Sequence, residues 1–480
     1  MSETDQRKPI KKWRFETPKT RKTPFLNFRN CDLRRLGSPR IPFPRLRTVP
    51  CNSYNLVSGF AFTLAGDAMA VDTNNISESI FDTEDLDSES IFGTSKVAID
   101  AATPQPVPML DMSHTLRRRA DIDTKQDKVA KLLEELGCEG VVLLMPAHVA
   151  WFTGGMNIRG LIADGERPGI YTNGRQRWLL ASNIDGQRLF DEELDGLGFQ
   201  LKEWQWTVGR ALLLGELVAG KKFATDRPFP NMPLVNDRLR TDLRPLTPYE
   251  QDLYRTLGNA VVHALEATAR NITPGTSEAE IAGQIAHRLC RRGVEALNIS
   301  VAADDRARKF RRCGFTDAIA NQTCVLQVTG CHDGLYATAS RTVCFGNPTP
   351  GFKLDFEAAV RLSALYRLMS VPGESVGSAA ESGKKLSMNG PYEHEWREAQ
   401  IGYGAGRFQA EELRKAGQDE KFGPGWPLVW QSKIGSASVV DTVLVTNEGP
   451  DPMTPTEGWP FKRIRVKGNA VDVPDLLVRV

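Results

Sequence analysis

Residues 326–342 read LQVTGCHDGLYATASRT, with the dipeptide Asp333-Gly334 at their centre. An Asp-Gly pair between two runs in which apolar and other residues alternate is a strong signal for a tight β-hairpin turn. The segment therefore predicts two antiparallel strands. Gln327 lies on the first strand, and Thr338 lies on the second, eleven positions later.

Other segments on both sides of this hairpin predict regular structure. Upstream, residues 273–278 read TPGTSE, a turn and helix cap between two long helical patterns, the first of which begins at Pro248. Downstream of Cys324 we predict mainly strands, with one helix near residues 356–369. Three strand-forming segments carry polar or glycine-rich motifs: residues 402–412 (GYGAGRFQAEE), 424–431 (PGWPLVWQ) and 439–446 (VVDTVLVT).

In order and spacing, these segments resemble the creatinase/prolidase/aminopeptidase P/methionine aminopeptidase superfamily. The glycines of residues 402–406 match the Gly-His-Gly-Ile-Gly run of the aminopeptidases, and Asp441-Thr442 matches the family's last strand. The resemblance implies an α+β protein. Residues 246–480 would form its pita-bread domain, a curved antiparallel sheet with flanking helices.

The residues before this domain resemble the smaller α/β N-terminal domain of creatinase. A helical period ends at Gly137, and a buried strand follows. Matching motifs are HVAWFTG at residues 148–154, Arg-Pro at 167–168 and NIDG at 183–186. We therefore assign residues 116–245 to a creatinase-like N-terminal domain.

Five positions that bind two metal ions in the superfamily are substituted in this chain. The metal-binding members carry Asp, Asp, His, Glu and Glu. Two divalent ions about 3.5–4 Å apart need carboxylates to offset their repulsion, and neutral amides and hydroxyls do not supply that charge. We therefore expect no bound metal and no other cofactor. The matching residues are Gln327, Thr338, Tyr403, Gln431 and Val440.

Creatinase hydrolyses a C–N bond without metal, through a His general base and two Glu residues. The positions that match these three are Phe310, Ser340 and Gln431. A general base must titrate near neutral pH, and none of the three does. One creatinase feature persists. Arg167 matches the Arg that the partner subunit's N-terminal domain brings to the substrate carboxylate, although an ordinary loop Arg is the alternative interpretation.

Two further features could contribute to the predicted cavity. His394 precedes the glycine-rich strand and lies close to the cavity in family terms, which makes ligand contact one interpretation and a surface position the other. The basic run from Arg306 to Arg312 predicts either an anion-binding rim or a solvated loop.

Residues 1–115 differ from the rest in composition. The first 47 residues are rich in Lys, Arg and Pro, whereas residues 67–90 carry eight carboxylates and no Lys or Arg. Charge blocks without apolar periodicity are typical of disorder. We interpret this stretch as disordered, or as an extension assigned too far upstream of Met109 or Met112. A nucleic-acid-binding arm or a targeting peptide is the alternative.

The totals exclude several classes of protein. A formal net charge of +2 predicts no strong affinity for nucleic acid or anionic membranes. No run approaches the 18 apolar residues of a membrane span, and no signal-peptide core is present. The eight Cys lack CxxC spacing and are expected to be reduced thiols, as in the cytoplasm.

Three functions remain compatible with these residues. The first is a divergent, homodimeric family member without metal-dependent peptidase activity, which binds a small, carboxylate-bearing or peptide-like ligand. The second is an Xaa-Pro aminopeptidase-like or creatinase-like hydrolase with relocated chemistry, through Tyr403, His394, Glu411 or Asp441. The third is a protein-interaction scaffold.

Overall fold

The computed structural model describes residues 112–158, 166–388, 392, 395, 401–409, 420–466 and 469–479. All of them belong to one compact unit, Ile99–Val480, while a second unit, Met1–Ala98, lies outside the described residues. The predicted extension therefore falls outside them up to residue 111, and residues 112–115 begin the first helix.

The N-terminal domain is a five-stranded mixed sheet with helices around it. Its strand order is β4-β3-β2-β1-β5, in which β1 is parallel to β5 and β3 is parallel to β4. The elements are α1 (Met112–Leu136), β1 (Gly140–Leu143), α2 (Pro146–Phe152), β2 (Gly169–Thr172), β3 (Arg177–Ser182), α3 (Gly186–Glu193), β4 (Gln200–Trp204), α4 (Arg210–Val218), β5 (Phe223–Thr225) and α5 (Asn236–Leu243).

The C-terminal domain contains two four-stranded sheets, each covered by a long helix. The elements are α6 (Pro248–Asn271), β6 (Thr276–Ser277), α7 (Glu278–Cys290), β7 (Glu295–Ala303), α8 (Arg306–Lys309), β8 (Ile319–Ala320), β9 (Thr323–His332), β10 (Leu335–Phe345), α9 (Pro350–Leu368), α10 (Val376–Met388), β11 (Gly402–Gly404), β12 (Pro427–Ile434), β13 (Ala437–Thr446), β14 (Gly449–Pro452), β15 (Phe461–Val466), β16 (Asn469–Pro474) and β17 (Leu477–Arg479).

The two sheets of this domain meet along β10 and β13. The first has the order β17-β10-β9-β7 and packs on α6, and the second has the order β11-β12-β13-β14 and packs on α9. Each helix covers its sheet with a separate apolar core. Two helix-and-sheet halves facing one another are the architecture that the sequence predicts for residues 246–480.

The hairpin turn between β9 and β10 is built as Asp-Gly predicts. Both residues have positive φ, 51° at Asp333 and 66° at Gly334, as a two-residue type I′ turn requires. The turn docks against the N-terminal domain so closely that a Cβ on Gly334 would lie 2.4 Å from the Cβ of Ala150. The hairpin therefore connects the site-bearing sheet to the first domain.

The helix α10 is not predicted from the sequence. The prediction of a single helix after Cys324 corresponds to α9, but α10 follows it and packs against it. Its sequence, VGSAAESGKKLSM, contains two Gly and three Ser, which are weak helix formers, so the helix depends on tertiary contact rather than on propensity. Within the described residues, no helix is long and apolar enough to cross a membrane.

A buried cluster of four charges connects the two domains. Lys125 of α1 contacts both Asp121 and Glu250, and Arg407 contacts the same oxygen of Glu250. All four side chains are buried. Arg407 Nη1 donates to the carbonyl of Asp333 at 3.1 Å. The cluster thus connects α1, α6, the hairpin turn and the end of the glycine-rich strand.

Glu250 also caps its own helix. Its second carboxylate oxygen accepts from the backbone N–H of Thr247 at 3.1 Å, and the Thr247 hydroxyl accepts from the Glu250 N–H at 3.3 Å, which is a capping box. Burial alone would raise the pKa of Glu250, but the charges of Arg407 and Lys125 outweigh it and lower the pKa to about 2. The carboxylate is therefore ionised at neutral pH.

Substituting Lys125 with Met should lower the free energy of unfolding by about 3–5 kcal/mol, because removing one partner of a buried ion pair leaves charge uncompensated. The matched control is Lys128→Met, one turn along the same helix. Lys128 forms a 3.6 Å pair with Asp242 in which the side chains are 40% and 38% exposed, and its loss should cost about 0–1 kcal/mol. Chemical denaturation measures both. Equal effects of the two substitutions would contradict the stabilising role of the cluster.

Candidate functional site

Strand register brings the predicted residues of the first sheet together. On β9 and β10, Gln327 pairs with Ser340 and Thr329 pairs with Thr338. Side chains alternate across a strand, so these four residues lie on one face of the hairpin. Thr329, Thr338 and Ser340 are buried, and Gln327 is half-buried.

The second sheet presents the remaining positions in the same way. Tyr403 of β11 pairs with Val429 of β12, and Gln431 of β12 pairs with Val440 of β13. Tyr403, Val429 and Val440 belong to one small buried cluster. We use the term inter-sheet site for the facing residues of both sheets: Gln327, Thr329, Thr338, Ser340, Tyr403, Gln431 and Val440.

Hydrogen bonds join the two faces. The Thr442 hydroxyl accepts from the Thr338 N–H at 2.9 Å and donates to the Thr338 carbonyl at 2.7 Å. The Ser340 hydroxyl accepts from the Val440 N–H at 2.8 Å. The sheets therefore touch through backbone and hydroxyl groups at the positions that the resemblance pairs with metal ligands.

Inside the inter-sheet site the hydroxyls form a continuous network. Thr329 Oγ1 lies 2.9 Å from Thr338 Oγ1, which lies 3.2 Å from Tyr403 Oη. The Tyr403 hydroxyl also interacts with the side chain of Gln431. Burial raises the pKa of Tyr403, while these hydrogen bonds and the charge of Arg312 act in the opposite direction. The phenol is therefore protonated at neutral pH.

This residue set does not fit a dinuclear metal centre. The inter-sheet site contains hydroxyls, amides and a valine, and none of these is a carboxylate or an imidazole. Across the described part of the chain, no group of three or more His, Cys, Asp and Glu side chains is arranged to hold a metal ion. The donors present suit hydrogen bonding to a neutral or anionic molecule better than coordination of divalent cations.

Asp441 lies next to the site but serves the structure. Its Oδ1 accepts from Arg341 at 3.2 Å and from the Thr454 hydroxyl at 3.0 Å. Arg341 is fully buried and also donates to Glu266 at 3.0 Å. This carboxylate therefore ties β13 to β10 and to the segment after β14, and the contacts do not support a catalytic role for it.

Phe310 lies at the surface rather than inside the inter-sheet site. Its side chain is 51% exposed, and its carbonyl accepts from Lys433 Nζ at 2.7 Å. The basic run around it is neither an open rim nor a fully solvated loop, since three of its members are engaged with acids. These pairs are Arg306 with Glu278, Arg308 with Asp355 and Arg311 with Glu395.

Arg167 lies just before β2 of the N-terminal domain. It is half-buried, and its carbonyl accepts from Arg210 Nη1 at 2.9 Å. Its charge opposes the burial that raises the pKa of Tyr336 to about 12. Tyr336 precedes Thr338 by two residues on β10, so the charge of Arg167 acts on the site-bearing strand of its own chain.

Some residues of the site were not anticipated, and two predicted ones cannot be placed. Thr329 and Thr442 are central to the network, and only the two-residue strand period around Gln327 could have indicated Thr329. Lys433 lies two residues beyond Gln431 and was not singled out. His394 and Glu411 lie outside the described residues.

The C-terminal domain has two facing sheets, each packed on a long helix, and a mixed α/β domain precedes it in the chain. This arrangement defines the class of protein as pita-bread. Residues 252–447 match the model of metallopeptidase family M24. This stretch of the C-terminal domain is therefore similar in sequence to family M24, and the predicted α+β fold is confirmed. A comparison with curated proteins gave no match.

Solved structures with the same fold include peptidases and a domain from a protein complex. The prolidase of Pyrococcus horikoshii OT3 aligns with a TM-score of 0.59 at 17% identity, over 70% of this chain and 99% of its own. The X-Pro aminopeptidase of Thermotoga maritima MSB8 gives 0.59 at 15% identity, over 74% and 99%. The N-terminal domain of FACT complex subunit SPT16 from Cicer arietinum gives 0.50 at 10% identity, over 72% and 97%. At identities this low, the structural likeness shows a shared fold alone.

Replacing Thr442 with Val should destabilise the fold by about 2–4 kcal/mol, because each unpaired buried polar group costs about 1–3 kcal/mol. The substitution leaves the Thr338 N–H and carbonyl without their partner. Thr446→Val, on the same strand, removes a hydroxyl that serves only the β13–β14 turn, and it should cost about 1 kcal/mol or less. The free energies of unfolding of the two variants test this role of Thr442. A loss no larger than that of the control would show that Thr442 does not hold the sheets together.

Proposed function

We propose that the protein has no metal-dependent peptidase activity and that its inter-sheet site binds a small, carboxylate-bearing or peptide-like ligand. The observation that supports this most directly is the hydroxyl network of Thr329, Thr338 and Tyr403. Two of its three members, Thr338 and Tyr403, occupy positions that the resemblance pairs with metal ligands. Hydrogen-bonding groups are retained there, and negative charge is not.

Hydrolysis by the family's route needs an activated water, which metal ions or a general base would supply. Neither group is available among the matched positions that the structure describes. Tyr403 is the one acid–base side chain in the inter-sheet site, and burial moves its pKa away from neutrality. The residues that remain can hold and orient a ligand, and they offer no proton acceptor for catalysis.

The charge around the site favours an anionic ligand. The site itself is neutral, and Arg312 lies close enough to Tyr403 to influence its pKa. The charge of Arg167 likewise acts on Tyr336, on the same face. The positive charge of these two side chains favours a ligand that carries its own carboxylate.

We also propose that the protein is a homodimer located in the cytoplasm. The Arg167 carbonyl accepts a hydrogen bond from Arg210 at the start of α4. Three large apolar side chains that flank Arg210 in the sequence are exposed: Trp206, Val208 and Leu212. Exposed apolar groups of this size are typical of association surfaces. The six described cysteines are free thiols, which suits a reducing compartment.

A protein-interaction scaffold is the second candidate. It is favoured by the burial of Thr338, Tyr403 and Val440, which fill the space between the sheets with side chains. The likeness to a domain of a FACT complex subunit also suits this function. A hydrolase with relocated chemistry is less well supported, since Asp441 is engaged by Arg341 and Thr454.

Purified protein dialysed against manganese, cobalt or zinc should retain no stoichiometric metal, because the matched positions lack carboxylates and imidazoles. With manganese present it should not cleave Ala-Pro, whereas the Pyrococcus horikoshii prolidase serves as the positive control. N-acetyl-L-proline should bind, as measured by calorimetry, and remain intact. About two ions per chain, or cleavage that a chelator abolishes, would refute the proposal.

The dimer can be measured directly. Light scattering on the full chain should give about twice the 53.2 kDa of one copy, and Val208→Asp with Leu212→Asp should shift the mass towards that of one chain, because buried unpaired carboxylates oppose association. Leu116→Asp, at another exposed apolar position, is the control. A single-chain mass for the unsubstituted protein would contradict the dimer.

A further inference from the structure

We propose that Lys433 binds the carboxylate of the ligand and that the site therefore takes carboxylic acids whose other polar groups are neutral. N-acylated amino acids and hydroxy acids have this chemistry, whereas peptides with a free ammonium group do not. The inference rests on the proposed binding function of the inter-sheet site and adds its anchor and its ligand class.

Lys433 lies on the site-facing side of β12. Gln431 precedes it by two residues and Val429 by four, so the three side chains share one face. The cross-strand partner of Lys433 is Ser438, whose carbonyl accepts from the Ser340 hydroxyl at 3.3 Å. Lys433 therefore follows directly on the row of site residues, at the end away from Tyr403.

The ammonium group is held in place but is not neutralised by a contact. Nζ donates to the Phe310 carbonyl at 2.7 Å and more weakly to the Arg311 carbonyl at 3.4 Å. An ammonium has three N–H donors, so one remains for a ligand. No carboxylate of the described residues lies within 4.0 Å of Nζ, which leaves the positive charge available to an external anion.

The charged neighbours of Lys433 do not neutralise its ammonium group. Burial lowers its pKa, Arg311 acts in the same direction, and Cys313 and Glu395 oppose them. The Glu395 carboxylate is already shared between Arg311 and the N–H of Gly435. The Cys313 thiol is held protonated, because burial raises its pKa. A carboxylate from the ligand would therefore be the group that completes the environment of Lys433.

The rest of the inter-sheet site determines what the ligand cannot carry. The Ser340 hydroxyl is buried and already bonded to the Val440 N–H and the Ser438 carbonyl, so the groups open to a ligand between Lys433 and Tyr403 are the half-buried amides of Gln327 and Gln431. They can donate to and accept from carbonyl, amide and hydroxyl groups. A buried ammonium among them would have no counter-ion, and an unpaired buried charge is strongly unfavourable. Cationic ligands are excluded for this reason.

The test is calorimetric titration of the full-length protein with two probes. N-acetyl-L-proline carries a carboxylate and no cation, and L-prolinamide carries a cation and no carboxylate. We expect the first to bind and the second not to bind. Lys433→Met should weaken binding of N-acetyl-L-proline by roughly ten- to a hundredfold, as loss of a charged hydrogen bond does. Lys433→Arg keeps the charge and should stay within about fivefold of the unsubstituted protein.

Three controls make the result specific. Lys462→Met removes a lysine of β15 that is paired with Asp475 at 3.3 Å and should leave binding unchanged. Arg167→Ala removes the anchor that the creatinase resemblance implies, and it should reduce binding less than Lys433→Met does. Lys433→Gln, which keeps a polar side chain, replaces Lys433→Met if the latter lowers the melting temperature.

The outcomes separate this inference from the proposed function. Binding of N-acetyl-L-proline that Lys433→Met and Lys433→Gln leave intact overturns the anchor but not the binding function. The same holds if Arg167→Ala abolishes binding while the Lys433 variants retain it. Equal affinity for L-prolinamide overturns the ligand class. Failure of the unsubstituted protein to bind N-acetyl-L-proline refutes the proposed function itself.

Discussion

The rest of the structure depends on the contacts of the Glu250 carboxylate, which caps a helix and also binds two cations. One carboxylate oxygen caps α6, and the other receives Lys125 from the N-terminal domain and Arg407 from the end of the glycine-rich strand. Removing charges from water is costly, so such a cluster gains little net stability compared with apolar packing. It does fix geometry. The helix start, the domain orientation and the strand that carries Tyr403 are all placed by one side chain.

That placement contributes to the convergence of the two sheets on the inter-sheet site. The convergence of the inter-sheet site comes from strand register, from the Asp333-Gly334 turn and from Thr442, and none of these involves a metal. The buried pairing of Arg341 with Glu266 and Asp441 provides further ties between the halves of the domain. Once the scaffold is held by such contacts, the ligand positions themselves are free to change.

Much of this could be read from the sequence because the decisive signals are local. The Asp-Gly turn, the capping box at Thr247 and the strand alternation around Gln327 each act over a few residues. The register that brings Thr338 to Tyr403 followed only from the family resemblance. The four-charge cluster could not be predicted, since Arg407 and Lys125 are far apart in the chain and either residue alone resembles a surface cation. The helix α10 was missed because packing against α9, not propensity, stabilises it.

The five substitutions are best understood together. Carboxylates that face one another across two sheets repel strongly unless cations lie between them. If metal binding is lost, each remaining acid becomes a buried charge without a partner, and its replacement by a neutral residue stabilises the fold. Amides and hydroxyls keep the hydrogen bonds and remove the repulsion. In the binding function proposed above, the electrostatic character of the space would then reverse: Lys433 at its edge faces no acid within the inter-sheet site, and an anion is favoured there over a divalent cation.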